Sequence, residues 1–188
     1  MTKANVKEKL IKATTELLLE EGHAETITSR QIAEKAETNL AMINYYFHSK
    51  DELINSAVNL LIKSAADNWM NVADSTQSPY EKLLHMLLQL SKLTMQYYSF
   101  TKTTTIYELT KTDIHLPYYI IPLLEQIYGD QRNDFEVKMI AFEIISFLQV
   151  LMIKAEDFFK YAGKDVRDDT QREFVIRAFL KSTLGHRS

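Results

Sequence analysis

Residues 28–53 read TSRQIAEKAETNLAMINYYFHSKDEL, and the fold turns on how this stretch divides into helices. Thr28 and Gln31 have the three-residue spacing of a capping box, in which the hydroxyl accepts from the Gln31 amide and the Gln31 side chain reaches back. Ile27 before the cap and Ile32 at the fourth helical position have the spacing of a hydrophobic staple. A short helix over 29–36 follows, with Ile32, Ala33 and Ala36 inward. Glu37, Thr38 and Asn39 form a turn, and Asn39 is the N-cap of a second short helix over 40–47. Ile43 and Phe47 share one face and anchor that helix. Asn39, Ala41, Asn44, Tyr45 and Tyr46 are distributed around the rest. Ser49-Lys50-Asp51-Glu52 repeats the capping box and opens a further helix. Two short helices across such a turn make a helix-turn-helix.

Outward from this stretch the pattern stays helical. A stripe of Val6, Leu10, Ala13, Thr14, Leu17 and Leu18 predicts a helix over 6–21 that packs across the pair. Further helices are predicted over 52–73, 79–98, 104–111, 117–128, 133–161 and 171–184, with Pro122 kinking or breaking the fifth of these. Ser78-Pro79-Tyr80-Glu81 and Thr170-Gln171-Arg172-Glu173 read as two more capping boxes. The chain has four glycines. Gly22, Gly129, Gly163 and Gly185 each follow a helical run and read as helix stops. No alternating strand pattern of useful length appears, so the fold class is all-α.

Composition narrows the function classes. The 188 residues suit one large domain, or a small domain joined to a larger one. Apolar residues make up 46%, enough for a full core. There is no cysteine, which excludes disulfides, thiolate metal sites and cysteine nucleophiles. His23, His48, His85, His115 and His186 have no metal-ligand spacing. There is no glycine-rich phosphate loop and no nucleophile elbow, so no metal, cofactor or catalytic residue is expected. No apolar run is long enough to span a bilayer, and MTKANVKEKL lacks the apolar core of a secretory signal; a cytoplasmic protein is expected. The net charge of -3 is not the global signature of a nucleic-acid binder. Between Thr26 and Lys50, Arg30, Lys35 and Lys50 stand against Glu34 and Glu37.

A DNA role therefore rests on local arrangement. In a three-helix tripod the last helix is exposed and fits the major groove. Ala41 permits close approach to base edges, and Asn44 can bind adenine through two hydrogen bonds. Tyrosine hydroxyls donate to phosphates. Lys50 in the first turn after Ser49 suits a phosphate site, as does Arg30 in the first turn after Thr28. The same features also fit a plain amphipathic helix pair with no DNA role.

The run TITSRQIAEKAETNLAMINYYFHSKDEL resembles the DNA-binding domain of the tetracycline-repressor (TetR) family. The likeness is carried by Thr28, Ile32-Ala33, Ala36, Tyr45-Tyr46-Phe47, Lys50 and Asp51-Glu52-Leu53. It implies a helix-turn-helix at about 28–47 within a DNA-binding domain over 3–64, and a helical ligand-binding and dimerisation domain over 65–188. It implies phosphate contacts by Thr28, Tyr45 and Lys50, with Leu40, Ala41 and Asn44 facing bases and Tyr46 at the groove or a phosphate. Arg30 and Asn39 complete the expected DNA-binding set. This sequence departs from the family pattern in having Glu37 at the turn glycine, which calls for a strained backbone angle or a slightly different turn, Thr38 at the next apolar position, Asn44 for the usual tyrosine, and Leu40 where a polar residue is common.

The later helices carry the rest of the expectation. From Met139 to Ile153 the only polar side chains are Glu143, Ser146 and Gln149. A helix apolar nearly all round is covered on both sides. With the final helix it could build a four-helix interface between two subunits, with Phe147, Leu151, Phe174, Ala178 and Phe179 as candidates; a monomer with a thick core is the other reading. Trp69, Met95, Tyr97, Tyr98, Tyr107, Tyr118, Tyr119 and Phe142 are candidates to line a pocket for a flat, mostly apolar ligand, or else to fill the core. The partners expected are a palindromic double-stranded operator, a second copy of the chain and a small-molecule effector, with no membrane. The function expected is a ligand-released repressor. The alternative is a helical small-molecule binding protein with a vestigial helix-turn-helix.

Overall fold

The computed structural model describes residues 3–71, 77–111 and 113–185, with the side chains at 3–5, 66–71, 103, 107 and 108 outside that description. The described residues are helical and contain no strand. In order they form α1 (Lys3–Glu21), a 3-10 turn (Ala24–Thr26), α2 (Ser29–Lys35), α3 (Leu40–Phe47), α4 (Lys50–Asn71), α5 (Pro79–Gln96) and α6 (Tyr98–Lys111). A 3-10 turn (Leu116–Tyr119), α7 (Ile121–Tyr128), a 3-10 turn (Gly129–Gln131), α8 (Asp134–Ile153), α9 (Ala155–Ala162) and α10 (Asp169–Leu184) follow. No helix among the described residues is long and apolar enough to cross a membrane.

Packing divides the chain into two units. The first comprises Met1–Ala65 with Gln96–Thr104, and the second comprises Ala66–Met95 with Thr105–Ser188. In the first, α1 lies against both α2 and α3. Its core takes Leu10, Leu17 and Leu18 from α1, Ile32 from α2, Ile43 and Phe47 from α3, and Leu53, Ile54 and Val58 from α4. Ile27, the staple residue ahead of the cap, is also fully buried. The stretch 96–104 joins this unit through side-chain hydrogen bonds. Tyr97 Oη donates to the Leu18 carbonyl at 3.1 Å, Gln96 Nε2 to the Gly22 carbonyl at 3.2 Å, Ser99 Oγ to Glu25 at 3.0 Å and Thr104 Oγ1 to Asn55 at 2.6 Å. Three of these hold the end of α1 and the turn after it.

The second unit has one main core. Leu83, Leu84, Met86 and Leu87 of α5 meet Leu124 and Tyr128 of α7, Val137, Ala141 and Ile144 of α8, and Ile176, Leu180 and Leu184 of α10. A smaller cluster joins Leu151, Met152, Ala155, Val166 and Val175. All four glycines have positive φ and end or follow helices, as their spacing predicts.

The predicted helix over 117–128 is parted next to Pro122 as expected, into the 3-10 turn Leu116–Tyr119 and α7, with Pro122 at the second position of α7, where a proline costs no hydrogen bond. Several helix boundaries differ from the sequence reading. The predicted helix over 133–161 is two, parted at Lys154, where no proline or glycine marks the break. Helix α6 begins at Tyr98, earlier than predicted. The last helix is capped by Asp168, whose carboxylate accepts from the Gln171 amide at 2.9 Å, so Thr170 lies inside the first turn and is no cap. A complete capping box that the reading passed over joins Asn133 and Glu136 at the start of α8.

Candidate nucleic-acid interface

Two caps aim the helix-turn-helix. Thr28 Oγ1 accepts from the Gln31 amide at 3.2 Å while Gln31 Oε1 accepts from the Thr28 amide at 2.8 Å, closing the expected box. Asn39 Oδ1 accepts from the Met42 amide at 3.2 Å and starts α3. Each cap satisfies one of the orphan amides at a helix start and fixes the direction in which the chain enters. Between them Glu37 has φ +52°, the left-handed conformation that its family-position glycine would take freely. Thr38 N donates to the Ala33 carbonyl at 2.9 Å and closes the turn.

With those ends set, the α3 faces follow from its 3.6-residue period. Ile43 and Phe47 are 1% and 4% exposed and face α1. Leu40, Ala41, Asn44 and Tyr45 are exposed, with Leu40 at 47% and Tyr45 at 60%, and Ala41 and Tyr45 lie opposite the buried pair. Apolar area of that size is costly in water and suits contact with thymine methyls or sugar edges. Tyr46 is half-buried, its ring meeting Tyr45 edge-on at 4.9 Å between centroids. It therefore stands at the margin of the outward face and braces Tyr45.

The cation and cap positions frame that face. Thr28, Arg30 and Asn39 are exposed. Lys50 is half-buried, and its ammonium donates to the Ile27 carbonyl at 2.9 Å, beside the start of α2. That hydrogen bond uses one of three ammonium protons and leaves the charge beside the α2 amides, where an anion is favoured. The nine residues expected to meet DNA are thus gathered on α3 and the helix starts around it. Sequence reasoning passed over two others at the same end of α3. His48 follows Phe47 with φ +61° and is exposed. Lys7 of α1 has its ammonium 5.6 Å from the centroid of the Phe47 ring. The basic first half of α1 was the available signal for Lys7.

The candidates in the second unit fare unevenly. Trp69 and Tyr107 have side chains outside the described residues. Tyr118 and Phe142 come together with Ile114, Pro117, Ile121, Phe135, Lys138 and Met139 around an open, largely apolar groove of about 300 Å³. Met95 packs instead on the smaller cluster, and Tyr119 is half-buried away from the groove lining. Tyr98 and Tyr97 belong by packing to the first unit, and Tyr97 is buried with its hydroxyl bonded to the Leu18 carbonyl. Burial raises the Tyr97 pKa above its ordinary value.

Of the residues proposed for a subunit interface, Leu151 is interior at 3% exposure. Phe147 and Phe179 stack on each other within the chain, 3.8 Å between centroids. Phe174 and Ala178 face outward, with Lys164 over the Phe174 ring at 4.8 Å. Phe135, Met139, Phe142 and Val150 add an exposed apolar stripe along α8. Among the described residues no group of His, Asp and Glu could hold a metal ion.

Two short capped helices joined by a tight turn, with α3 presenting exposed side chains, have the arrangement of a helix-turn-helix. Residues 10–57 match the family described as "Bacterial regulatory proteins, tetR family". The match covers the N-terminal part of the chain, from α1 into α4, and shows a tetR-type domain there.

Among curated relatives, the HTH-type transcriptional regulator PksA of Bacillus subtilis is 31% identical over 84 residues, covering 45% of this chain and 40% of that protein. The probable HTH-type transcriptional regulator YttP of the same organism is 25% identical over 162 residues, covering 80% of this chain and 77% of that protein. The chain thus aligns with less than half the length of the first relative. In structure, Thermus thermophilus FadR, described as a transcriptional repressor in complex with lauroyl-CoA, is similar with a TM-score of 0.59 at 16% identity, covering 97% of each chain. A putative transcriptional regulator from Pseudomonas aeruginosa PAO1 is similar with a TM-score of 0.51 at 16% identity, covering 97% of this chain and 93% of that one. These likenesses show the shared all-α fold along the whole chain.

Proposed function

We propose that this protein is a homodimeric repressor that binds a palindromic operator through α3 and is released by a small hydrophobic or aromatic effector. The observation that carries the DNA part is the split of α3, with Ile43 and Phe47 inward and Leu40, Ala41, Asn44 and Tyr45 outward between two capped helix starts. In this reading residues 3–64 hold the DNA-binding function and 65–188 the effector and dimer functions. Leu40, Ala41 and Asn44 meet base edges. Thr28, Arg30, Asn39, Tyr45 and Lys50 hold phosphates, and Tyr46 supports them. Pairing of two copies places two reading helices about one helical turn apart on DNA. The outward Phe174, Ala178 and α8 stripe support a paired state, since apolar area exposed on this scale is usually covered. An effector shifts the equilibrium only by binding the DNA-incompetent state more tightly.

The test is binding to DNA from upstream of the protein's own gene at fixed salt. Wild type should protect a palindromic site, and Tyr45→Ala with Lys50→Ala should lose it. Equal protection by the double variant would sink the assigned contacts, and no protected site for wild type would sink the operator reading.

A further inference from the structure

Ion pairs sort the cations of the first unit into two groups. Lys35 at the end of α2 meets Glu20 at 2.6 Å and Glu16 at 3.7 Å, and Lys9 meets Glu37 at 4.0 Å. Lys9 and Lys35 are thereby neutralised within the fold. Arg30, Lys50 and Lys7 make no ion pair among the described residues. The first two stand at helix starts around α3. Lys7 comes from another helix, yet its ammonium lies 5.6 Å from the centre of the Phe47 ring, at the last residue of α3.

Phe47 is buried whereas Lys7 is exposed. The ammonium is thus held over the ring while the residue stays open to water. A cation is also favoured there by the α3 carbonyls, which leave a partial negative charge at that end. The eight residues of α3 span about 12 Å, and the major groove is about 12 Å wide between its phosphate ridges. A cation fixed at the end of a helix lying in that groove is within reach of a ridge.

We infer that Lys7 is a phosphate-contacting residue of the DNA interface, extending it from the helix-turn-helix onto α1. The inference rests on the proposed DNA-binding function. A phosphate contact carries no sequence information, so Lys7 adds affinity alike for any duplex and makes binding more salt-dependent.

The experiment uses the full chain and a mixed-sequence duplex of about 30 base pairs, with affinity measured by fluorescence anisotropy across a salt series. Lys7→Met keeps a long unbranched side chain beside Phe47 and removes the charge. Its log-affinity against log-salt slope should fall by about 0.9 per bound chain. Lys7→Arg should keep the wild-type slope. Lys12→Met is the control, since Lys12 lines a recess beside Glu16 and Lys35 and should leave the slope unchanged. A Lys7→Met slope equal to wild type, in a preparation where Lys50→Ala lowers it, overturns the Lys7 role and leaves the DNA reading standing. Weaker binding by Lys7→Met with an unchanged slope, or failure of Lys7→Arg to keep it, also overturns the inference. No binding by wild type at low salt overturns both readings.

Discussion

The hydroxyl of Tyr97 donates to the carbonyl of Leu18 at 3.1 Å, joining two residues 79 positions apart and tying the start of α6 to the end of α1. Both groups are buried, so the bond is shielded from water. Tyr97→Phe keeps the ring and removes the donor, leaving Leu18 with the Gly22 amide as partner. A loss of about 1 kcal/mol is expected, read as a lower urea midpoint at unchanged slope. An unchanged midpoint would show that the clasp contributes nothing.

Phe47 and Asn44 should separate folding from reading. Phe47→Ala empties a buried site shared by α1 and α3 and should destabilise by about 3–5 kcal/mol. Asn44→Ala, on the exposed face, should leave thermal stability within about 0.5 kcal/mol while relaxing base preference at one operator position by about 1–3 kcal/mol. Thermal melts and binding to a set of single-base operator variants check both. A large stability loss in Asn44→Ala would place that side chain in the core.

Glu37 occupies the turn with φ +52°. Glu37→Gly removes the steric penalty of a left-handed residue, offset in part by the greater freedom of glycine in the unfolded chain. The Lys9 partner is 4.0 Å away and Glu37 is exposed, so little is lost with the carboxylate. A net gain of about 0.5–1 kcal/mol is expected in equilibrium unfolding. A loss would mean that the carboxylate contributes more than the strain costs.

Asp169 has its pKa held below the ordinary value by its hydrogen bond from Arg172, against an opposing desolvation by burial. A depressed folded-state pKa means that the unfolded chain binds the proton first. The stabilisation is complete above the usual aspartate pKa of about 3.9 and is lost as pH falls through the lower folded value. Asp169→Asn should therefore flatten the acid limb of the stability curve below about pH 4 and leave the neutral-to-alkaline limb parallel to wild type. Identical acid limbs in the two proteins would refute the linkage.

Several features were decided within a few residues of one another and were legible in the sequence. The Thr28–Gln31 box, the Asn39 cap and the inward Ile43–Phe47 pair depend on spacings of three or four positions, because helix geometry brings those positions together, while the left-handed Glu37 was suggested by the family resemblance. The all-α class and the outward set on α3 follow from them. The fold alone decided what depends on distant parts of the chain. Residues 96–104 joined the first unit through hydrogen bonds to Leu18, Gly22, Glu25 and Asn55, none of them local. Leu151 turned inward while Met139 and Phe142 remained outward, although all three stand in one apolar run. Lys35 found two carboxylates on α1, and Lys7 was left beside Phe47. Periodicity states which residues share a face. Which faces meet, and which charges are cancelled, is settled only when the path of the chain brings remote side chains within a few ångströms.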